Sequence, residues 1–204
     1  NVRVHYNPGS DTMTEDSRHN PFAGKEILLC LTGGIACYKV CDLASKLRKL
    51  GCGVTCAMTP AATKFIAPLT LEVLTGRAVH LDVFDRTEAY RPEHIALTDL
   101  SDLVLIAPAT AHSMAKLATG IANDIVSTLA LSAQGGAEIL LAPAMNTRMW
   151  NAPATQRNCA TLAADGVHCV GPADGPLACG TSGVGRMAEV DDILAAAERL
   201  LLPS

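Results

Sequence analysis

Residues 26–59 read EILLCLTGGIACYKVCDLASKLRKLGCGVTCAMT, and this stretch decides the fold. It opens with an apolar run, EILLCLTG, which is typical of a buried strand. A helical stretch follows, IACYKVCDLASKLRKLG, and its terminal Gly51 is a residue that commonly ends helices. The next apolar run, GVTCAMT, predicts a second strand. A strand, a helix and a strand in this order predict two parallel strands joined by a crossover helix.

The same alternation continues along the chain. Further strands are predicted at AVHLDVF, LVLIAPAT, EILLAPAM and HCVGP, with helical stretches between them and a closing helix at VDDILAAAERLL. Apolar strands that alternate with helices indicate a parallel sheet covered on both faces. We therefore expect one α/β domain over residues 25–204, with a doubly wound, Rossmann-like or flavodoxin-like sheet. Residues 1–24 are polar and lack periodicity, so we expect a flexible N-terminal tail.

Composition and charge exclude several classes of protein. The chain has 204 residues, 49 % of them hydrophobic, and a formal net charge of −4. An acidic balance argues against nucleic-acid binding, which needs a basic face. No apolar run reaches the roughly 20 residues of a membrane-spanning helix. The N-terminus has no basic region followed by a hydrophobic one, so we expect a cytoplasmic protein without a secretory signal.

The chain contains eight cysteines. It is too long and too rich in core-forming residues to need a disulfide scaffold, and its CxxxC spacings lack the partners of a metal site. We expect seven of the cysteines to be small buried side chains in a reducing compartment. Cys179 differs because it lies in a segment rich in Gly and Pro, PADGPLACGTSGVGRMAE, residues 172–189. For this thiol the residues alone leave a disulfide, a metal ligand, a filler and a catalytic group open.

Small and hydroxyl-bearing residues follow the predicted strands, where ligands of parallel α/β folds bind. Gly33 and Gly34 stand between a strand and a helix N-terminus, a position that favours phosphate. They match neither GxGxxG nor a Walker loop, and a simple tight turn is the alternative. Hydroxyl groups of Thr59, Thr110 and Ser113 follow other strands. Together these residues predict a cofactor that carries a phosphate.

Two further residues are candidates for chemistry. His94, in PEHIALTDLSD, is suited to act as an acid or base near neutral pH, although a lone surface histidine is the more frequent case. Asn146, in APAMNTRMW, directly follows a predicted strand and lies between two methionines. Its amide can donate to a carboxylate, and a turn-forming asparagine is the alternative.

Four segments in this order resemble the flavin-containing cysteine decarboxylases: TGGIACYK, HIALTDLSDLVLIAPATAHSMAKLATGIANDIV, APAMNTRMW and LACGTSGVGRMAE. The resemblance spans about residues 25–200. It implies FMN as cofactor, bound at subunit interfaces of a homotrimer or a multiple of trimers, and no metal. By position, the flavin contacts would be Gly33, Gly34, Ile35, Thr59, Ala61, Thr110, Ala111, His112, Ser113 and Ala144. His112 departs from the Asn or Asp of many relatives, which puts a side-chain contact there in doubt.

The resemblance also implies a reaction. The substrate thiol is oxidised to a thioaldehyde, CO2 leaves, and the resulting ene-thiol is reduced again. His94 would be the base, Asn146 would hold the substrate carboxylate, and Cys179 would donate a proton from a mobile flap over residues 172–189. Ala178 and Met187 would complete the substrate site.

An intact LACG motif and the amide of PAMN favour one branch of this family. Its members convert 4'-phosphopantothenoyl-L-cysteine to 4'-phosphopantetheine in coenzyme A biosynthesis. The first alternative is the oxidative branch, which acts on the C-terminal cysteine of peptides and stops at the ene-thiol. The second is a non-catalytic flavin-binding regulatory protein. The few acidic residues of the tail, Asp11, Glu15 and Asp16, argue against that role.

Overall fold

A parallel sheet forms the centre of the molecule. The computed structural model describes residues 20–83, 93–177, 180 and 182–202, and in these residues the sheet has six strands. They are β1 (Glu26–Leu31), β2 (Gly53–Met58), β3 (Val79–His80), β4 (Leu103–Ala109), β5 (Glu138–Pro143) and β6 (His168–Cys169). All neighbours pair in parallel in the order β3-β2-β1-β4-β5-β6. This confirms the predicted α/β fold, and the order is that of a Rossmann sheet rather than of flavodoxin.

Helices cover both faces of this sheet. Those of the described residues are α1 (Cys37–Lys49), α2 (Pro68–Thr75), α3 (Glu93–Leu100), α4 (Ala111–Thr119), α5 (Ile125–Ala133), α6 (Thr147–Trp150), α7 (Pro153–Ala164) and α8 (Val190–Leu201), with a 3-10 turn at Ala62–Lys64. The side chains of β1 alternate between two hydrophobic clusters. Leu29 and Leu31 pack with α1, α2 and α8, and Leu28 and Cys30 pack with α4, α5 and α7. Burial on both faces explains why the central strands read as continuous apolar runs.

The edges of the sheet differ from the sequence-based expectation. The strand predicted at AVHLDVF forms only Val79–His80, and the one predicted at HCVGP forms only His168–Cys169. Each pairs with one neighbour over two residues. An edge strand lacks a second partner, and an apolar run by itself does not show how far pairing extends. The short helix α6 was not predicted, because four residues are too few to show a helical period.

Residues 20–24, which we assigned to the tail, pack against the domain. Phe22 is 5 % exposed and belongs to the core beside α1. The Asn20 side chain donates to the Leu50 carbonyl oxygen over 2.7 Å. The packed part of the chain therefore begins before Lys25. The tail over residues 1–19 lies outside the described residues, and its flexibility stays a prediction.

The cysteines are less uniformly buried than expected. Cys30, Cys37, Cys52 and Cys56 are buried, but Cys41 and Cys159 are half-buried and Cys169 is exposed. The expectation is wrong for these three: Cys169 lies on the edge strand β6, where little covers it, and the other two lie on helices. All seven are free thiols. Among the described residues, no helix has the length and apolar character needed to cross a membrane. No group of three metal-ligating side chains is found in the same part of the chain.

Candidate functional site

A cleft opens at the carboxyl ends of the central strands. It has a volume of about 940 Å³ and is lined by the turns that follow β1, β2, β4 and β5. The order of strands reverses between β1 and β4, which is where Rossmann sheets bind ligands. The volume falls within the roughly 300–1,000 Å³ of small-molecule and cofactor sites. The cleft brings together every residue predicted to contact a cofactor: Gly33, Gly34, Ile35, Thr59, Ala61, Thr110, Ala111, His112, Ser113 and Ala144.

Gly33 allows the turns after β1 and β2 to touch. A Cβ atom at this position would overlap both the side chain and the backbone of Ala61, whereas a Cβ at Gly34 would lie 3.5 Å from Pro108 and Thr110, an ordinary contact. Helix α1 then begins after Ala36 with no side-chain cap. The first N–H groups of α1, those of Cys37, Tyr38 and Lys39, donate to carbonyl oxygens of the turn, so the helix offers a ligand mainly its positive dipole end. This geometry suits an anionic group.

Thr32, which the sequence analysis did not select, joins the ends of β1 and β4. Its buried hydroxyl donates to the Pro108 carbonyl oxygen over 2.6 Å and accepts from the Thr110 N–H over 3.0 Å. The same oxygen lies 3.2 Å from Thr110 Oγ1. Thr32 therefore fixes the turn that carries the predicted cofactor contacts after β4.

The predicted hydroxyl groups make local hydrogen bonds, and that of Thr110 is the N-cap of α4. Thr110 Oγ1 accepts from the Ser113 N–H over 3.3 Å at the start of α4, and the two hydroxyl oxygens lie 3.1 Å apart. Thr59 Oγ1 accepts from the Ala62 N–H over 3.2 Å. A hydroxyl that accepts a hydrogen bond can still donate its own proton. These hydrogen bonds orient the hydroxyl groups at the wall of the cleft.

An ion pair that was not predicted lies on the same wall. Lys116 donates to Asp124, and the two side chains are 13 % and 15 % exposed. Asp124 also caps α5, accepting from the Ser127 N–H over 2.8 Å. Burial opposes ionisation of Asp124, but the hydrogen bonds from Lys116 and Ser127 outweigh it and hold the pKa of this carboxyl below its usual range. The pair anchors the α4–α5 loop at the cleft.

The structure gives Asn146 a defined orientation. It is the N-cap of α6, and its side-chain oxygen accepts from the Met149 N–H over 2.8 Å. Asn146 is exposed and lines the cleft. The two interpretations of this residue are therefore compatible: the carbonyl side of the amide makes the turn, and the NH2 side is the part that can donate to a ligand.

The Gly- and Pro-rich segment forms a narrow hairpin beside Asn146. Ala173 and Arg186 pair in antiparallel fashion, and Gly175 and Gly183 exchange backbone hydrogen bonds of 3.3 and 3.0 Å. At the base, the Met145 N–H donates to the Gly185 carbonyl oxygen over 2.9 Å. Gly185 has φ 153°, and a Cβ there would overlap the Met145 carbonyl oxygen. The hairpin stem is therefore fixed against the segment that carries Asn146.

Of the remaining predicted site residues, the structure describes the side chain of Met187 but not those of Ala178, Cys179 and His94. Met187 lines the cleft but is 1 % exposed and packs in the core with α1 and α8, so it lies at the base of the hairpin. Ala178 and Cys179 lie outside the described residues. His94 belongs to α3, and its side chain is outside the described part. The positions of these two predicted catalytic side chains relative to the cleft therefore stay predictions.

The described thiols are poor nucleophiles. Burial is the main cause that raises the pKa of Cys56 to about 12 and that of Cys52 to about 11. Thiols with raised pKa values stay protonated near neutral pH. These cysteines are structural.

A Rossmann-ordered sheet with a glycine turn and a cleft at its reversal point defines a protein that binds a nucleotide-type cofactor. The chain belongs to the Flavoprotein family, whose model matches residues 15–202. This bears out the resemblance found in the sequence.

Two curated relatives match most of the chain. It is 43 % identical over 177 residues to a probable phosphopantothenoylcysteine decarboxylase of Streptococcus mutans, covering 87 % of this chain and 99 % of that protein. It is 42 % identical over 175 residues to the coenzyme A biosynthesis bifunctional protein CoaBC of Bacillus subtilis, covering 86 % of this chain and 43 % of that protein. The chain therefore spans less than half the length of the bifunctional relative.

Two solved structures have the same fold. An FMN-dependent cysteine decarboxylase, SpaF, superimposes with a TM-score of 0.76 at 30 % identity, over 88 % of this chain and 97 % of that one. A cysteine-to-serine mutant of a PPC decarboxylase complexed with pantothenoylaminoethenethiol has a TM-score of 0.76 at 27 % identity, over 86 % of this chain and 97 % of that one.

Proposed function

We propose that this protein catalyses the FMN-dependent decarboxylation of 4'-phosphopantothenoyl-L-cysteine to 4'-phosphopantetheine. The observation that carries the proposal is the position of Asn146. Its amide, which caps α6, lines the same cleft as the turns predicted to contact the cofactor. The whole-length similarity to the Streptococcus mutans protein supports the same activity.

The residues of the cleft fit FMN. The turn at Gly33 and Gly34, with the uncapped start of α1, suits the phosphate. Ala111 and Ala144 line the same cleft with small side chains, which leave room for a flat ring system. SpaF, a protein of the same fold, is FMN-dependent. When bound, the flavin supplies the two-electron oxidation and reduction that the reaction requires.

The protein groups bind the substrate and move protons. The amide NH2 of Asn146 donates to the substrate carboxylate and holds it until CO2 leaves. His94 takes a proton when the thiol is oxidised. Cys179 returns a proton to carbon when the ene-thiol is reduced, and the predicted flap over residues 172–189 covers the substrate in the meantime. Without that last reduction the product would lack two hydrogens.

We propose that the protein is a homotrimer or a multiple of trimers. Ile35 and Tyr38 line the mouth of the cleft and are 57 % and 62 % exposed, and Leu69 and Val73 on α2 are also exposed. A subunit interface would cover these apolar side chains. The cytoplasmic location stays a prediction.

The test is the mass of the product after anaerobic incubation of the purified protein with phosphopantothenoylcysteine. Loss of CO2 alone is the expected result. Loss of CO2 and two hydrogens would replace the proposal with the oxidative type of decarboxylase. No reaction with flavin bound would overturn the substrate assignment.

A further inference from the structure

Two cations beside the cleft share a single carboxylate. Lys39 on α1 and Arg186 on the hairpin stem both line the cleft. Lys39 Nζ lies 3.0 Å from Glu189 Oε2, and Arg186 Nη1 lies 3.1 Å from Glu189 Oε1. The hydrogen bond from Lys39 is the main cause that lowers the pKa of Glu189, so this carboxylate is ionised near neutral pH. One positive charge is left over at this point of the cleft.

The Arg186 guanidinium also has a donor to spare. Among the described residues, its buried Nε finds no hydrogen-bond partner. The group packs against Gly175, where a Cβ atom would come within 3.4 Å of Nε. Because Nε is buried, the donors that a ligand can reach are the Nη groups of this side chain, which is 38 % exposed and lines the cleft.

Other lysines of this region are neutralised. Lys116 pairs with Asp124, and Lys46, two turns after Lys39 on α1, pairs with both Asp42 and Asp191. Lys46 does not line the cleft. Lys46, Asp42 and Asp191 together carry one negative charge outside the lining of the cleft, so the positive charge that lines the cleft at this point comes from Lys39 and Arg186.

We propose that Lys39 and Arg186 form a binding site for a phosphate monoester, with Glu189 holding the two cations in position. The inference rests on the proposed function, which brings two such groups to the cleft, that of FMN and that of the substrate. An ammonium and a planar guanidinium are both strong donors to phosphate oxygens. The site would distinguish phosphorylated ligands from their unphosphorylated analogues.

The experiment uses Lys39→Met, with Lys46→Met as the matched control on the same helix. Dissociation constants are measured for FMN and riboflavin, and KM values for phosphopantothenoylcysteine and pantothenoylcysteine. Lys39→Met should weaken one phosphorylated ligand about tenfold or more and its unphosphorylated analogue by less than about twofold. A selective loss for FMN identifies the cofactor phosphate as the occupant, and a selective loss for the substrate identifies the substrate phosphate. Lys46→Met should change neither.

Arg186→Met is the second variant and should show the same selectivity. Equal effects of Lys39→Met on phosphorylated and unphosphorylated ligands, or no effect on any of them, overturn the site. If the wild-type protein decarboxylates neither substrate, the proposed function fails by itself. The dissociation constants of FMN and riboflavin then decide the site. A loss of affinity in Lys39→Met for FMN alone supports it. The same change for FMN and riboflavin, or no change for either, rejects it.

Discussion

The side-chain oxygen of Asn146 accepts a hydrogen bond from the Met149 N–H over 2.8 Å. Because the oxygen is engaged, the amide NH2 is the part of this side chain that can donate to a ligand. Asn146→Asp should keep the cap, since Asp and Asn cap helices equally well. It replaces the donor with a negative charge, so we expect the KM for the substrate to rise about tenfold or more, with flavin still bound. Unchanged affinity would remove Asn146 from the carboxylate site. Asn146→Ala should cost about 1 kcal/mol of folding free energy by losing the cap.

His94→Asn should abolish turnover while leaving flavin bound, because the proposed base is lost and the cofactor turns are untouched. The control is His168→Asn, which removes a histidine that pairs with Glu138 on the edge of the sheet. Turnover is measured as CO2 release, and flavin content from its absorbance. Normal CO2 release by His94→Asn would contradict its assignment as the base.

Cys179→Ser should release CO2 but give a product two hydrogens lighter than that of the wild type, because the proton donor for the final reduction is weakened. Cys169→Ser, at an exposed cysteine on β6, is the control and should give the normal product. Mass spectrometry of the product distinguishes the two outcomes. If Cys179→Ser releases no CO2 at all, the thiol acts at an earlier step.

Gly33→Ala should destabilise the protein by about 1–3 kcal/mol, because its Cβ overlaps Ala61 and forces the turns after β1 and β2 apart. We expect a lower flavin affinity as well. Gly34→Ala is the matched control: its Cβ makes ordinary contacts, so the stability of the apoprotein should change by less than about 1 kcal/mol. Urea unfolding of both apoproteins measures the difference, and equal stability would show that the turns can separate without cost.

Asp124→Asn should keep the α5 cap and lose the charge partner of Lys116, costing about 2–4 kcal/mol at neutral pH. The pKa of Asp124 is lowered in the folded protein below the ordinary value of an aspartate, so its stabilising effect is present above that ordinary pKa. It is lost as the pH falls through the lower folded pKa. Unfolding free energies between pH 7 and pH 3 should therefore converge for the wild type and the variant toward the acid end.

The control for the Asp124→Asn unfolding measurements is Asp191→Asn. The Asp191 side chain is 83 % exposed and pairs with Lys46. A surface pair contributes about 0–1 kcal/mol. A pH-independent difference between the wild type and Asp124→Asn would contradict the role of the Lys116–Asp124 charge pair.

The sequence by itself determined the fold class and most of the elements. Strands β1 and β4 and helices α1 and α8 follow from apolar runs and helical periods, which are local properties of neighbouring residues. The turn at Gly33 and the residues after each strand could be named as ligand contacts for the same reason, since parallel strands all end at one edge.

Only the tertiary structure decided which of these turns meet and what each polar side chain contacts. Thr32 reaches Thr110 across 78 residues, and Lys39 reaches Glu189 across 150 residues. Such pairs depend on the strand order and on the path of the hairpin over the sheet, and no local period encodes them. For the same reason no local pattern shows that Met187, which the resemblance assigned to the substrate site, lines the cleft from a core position at the base of the hairpin.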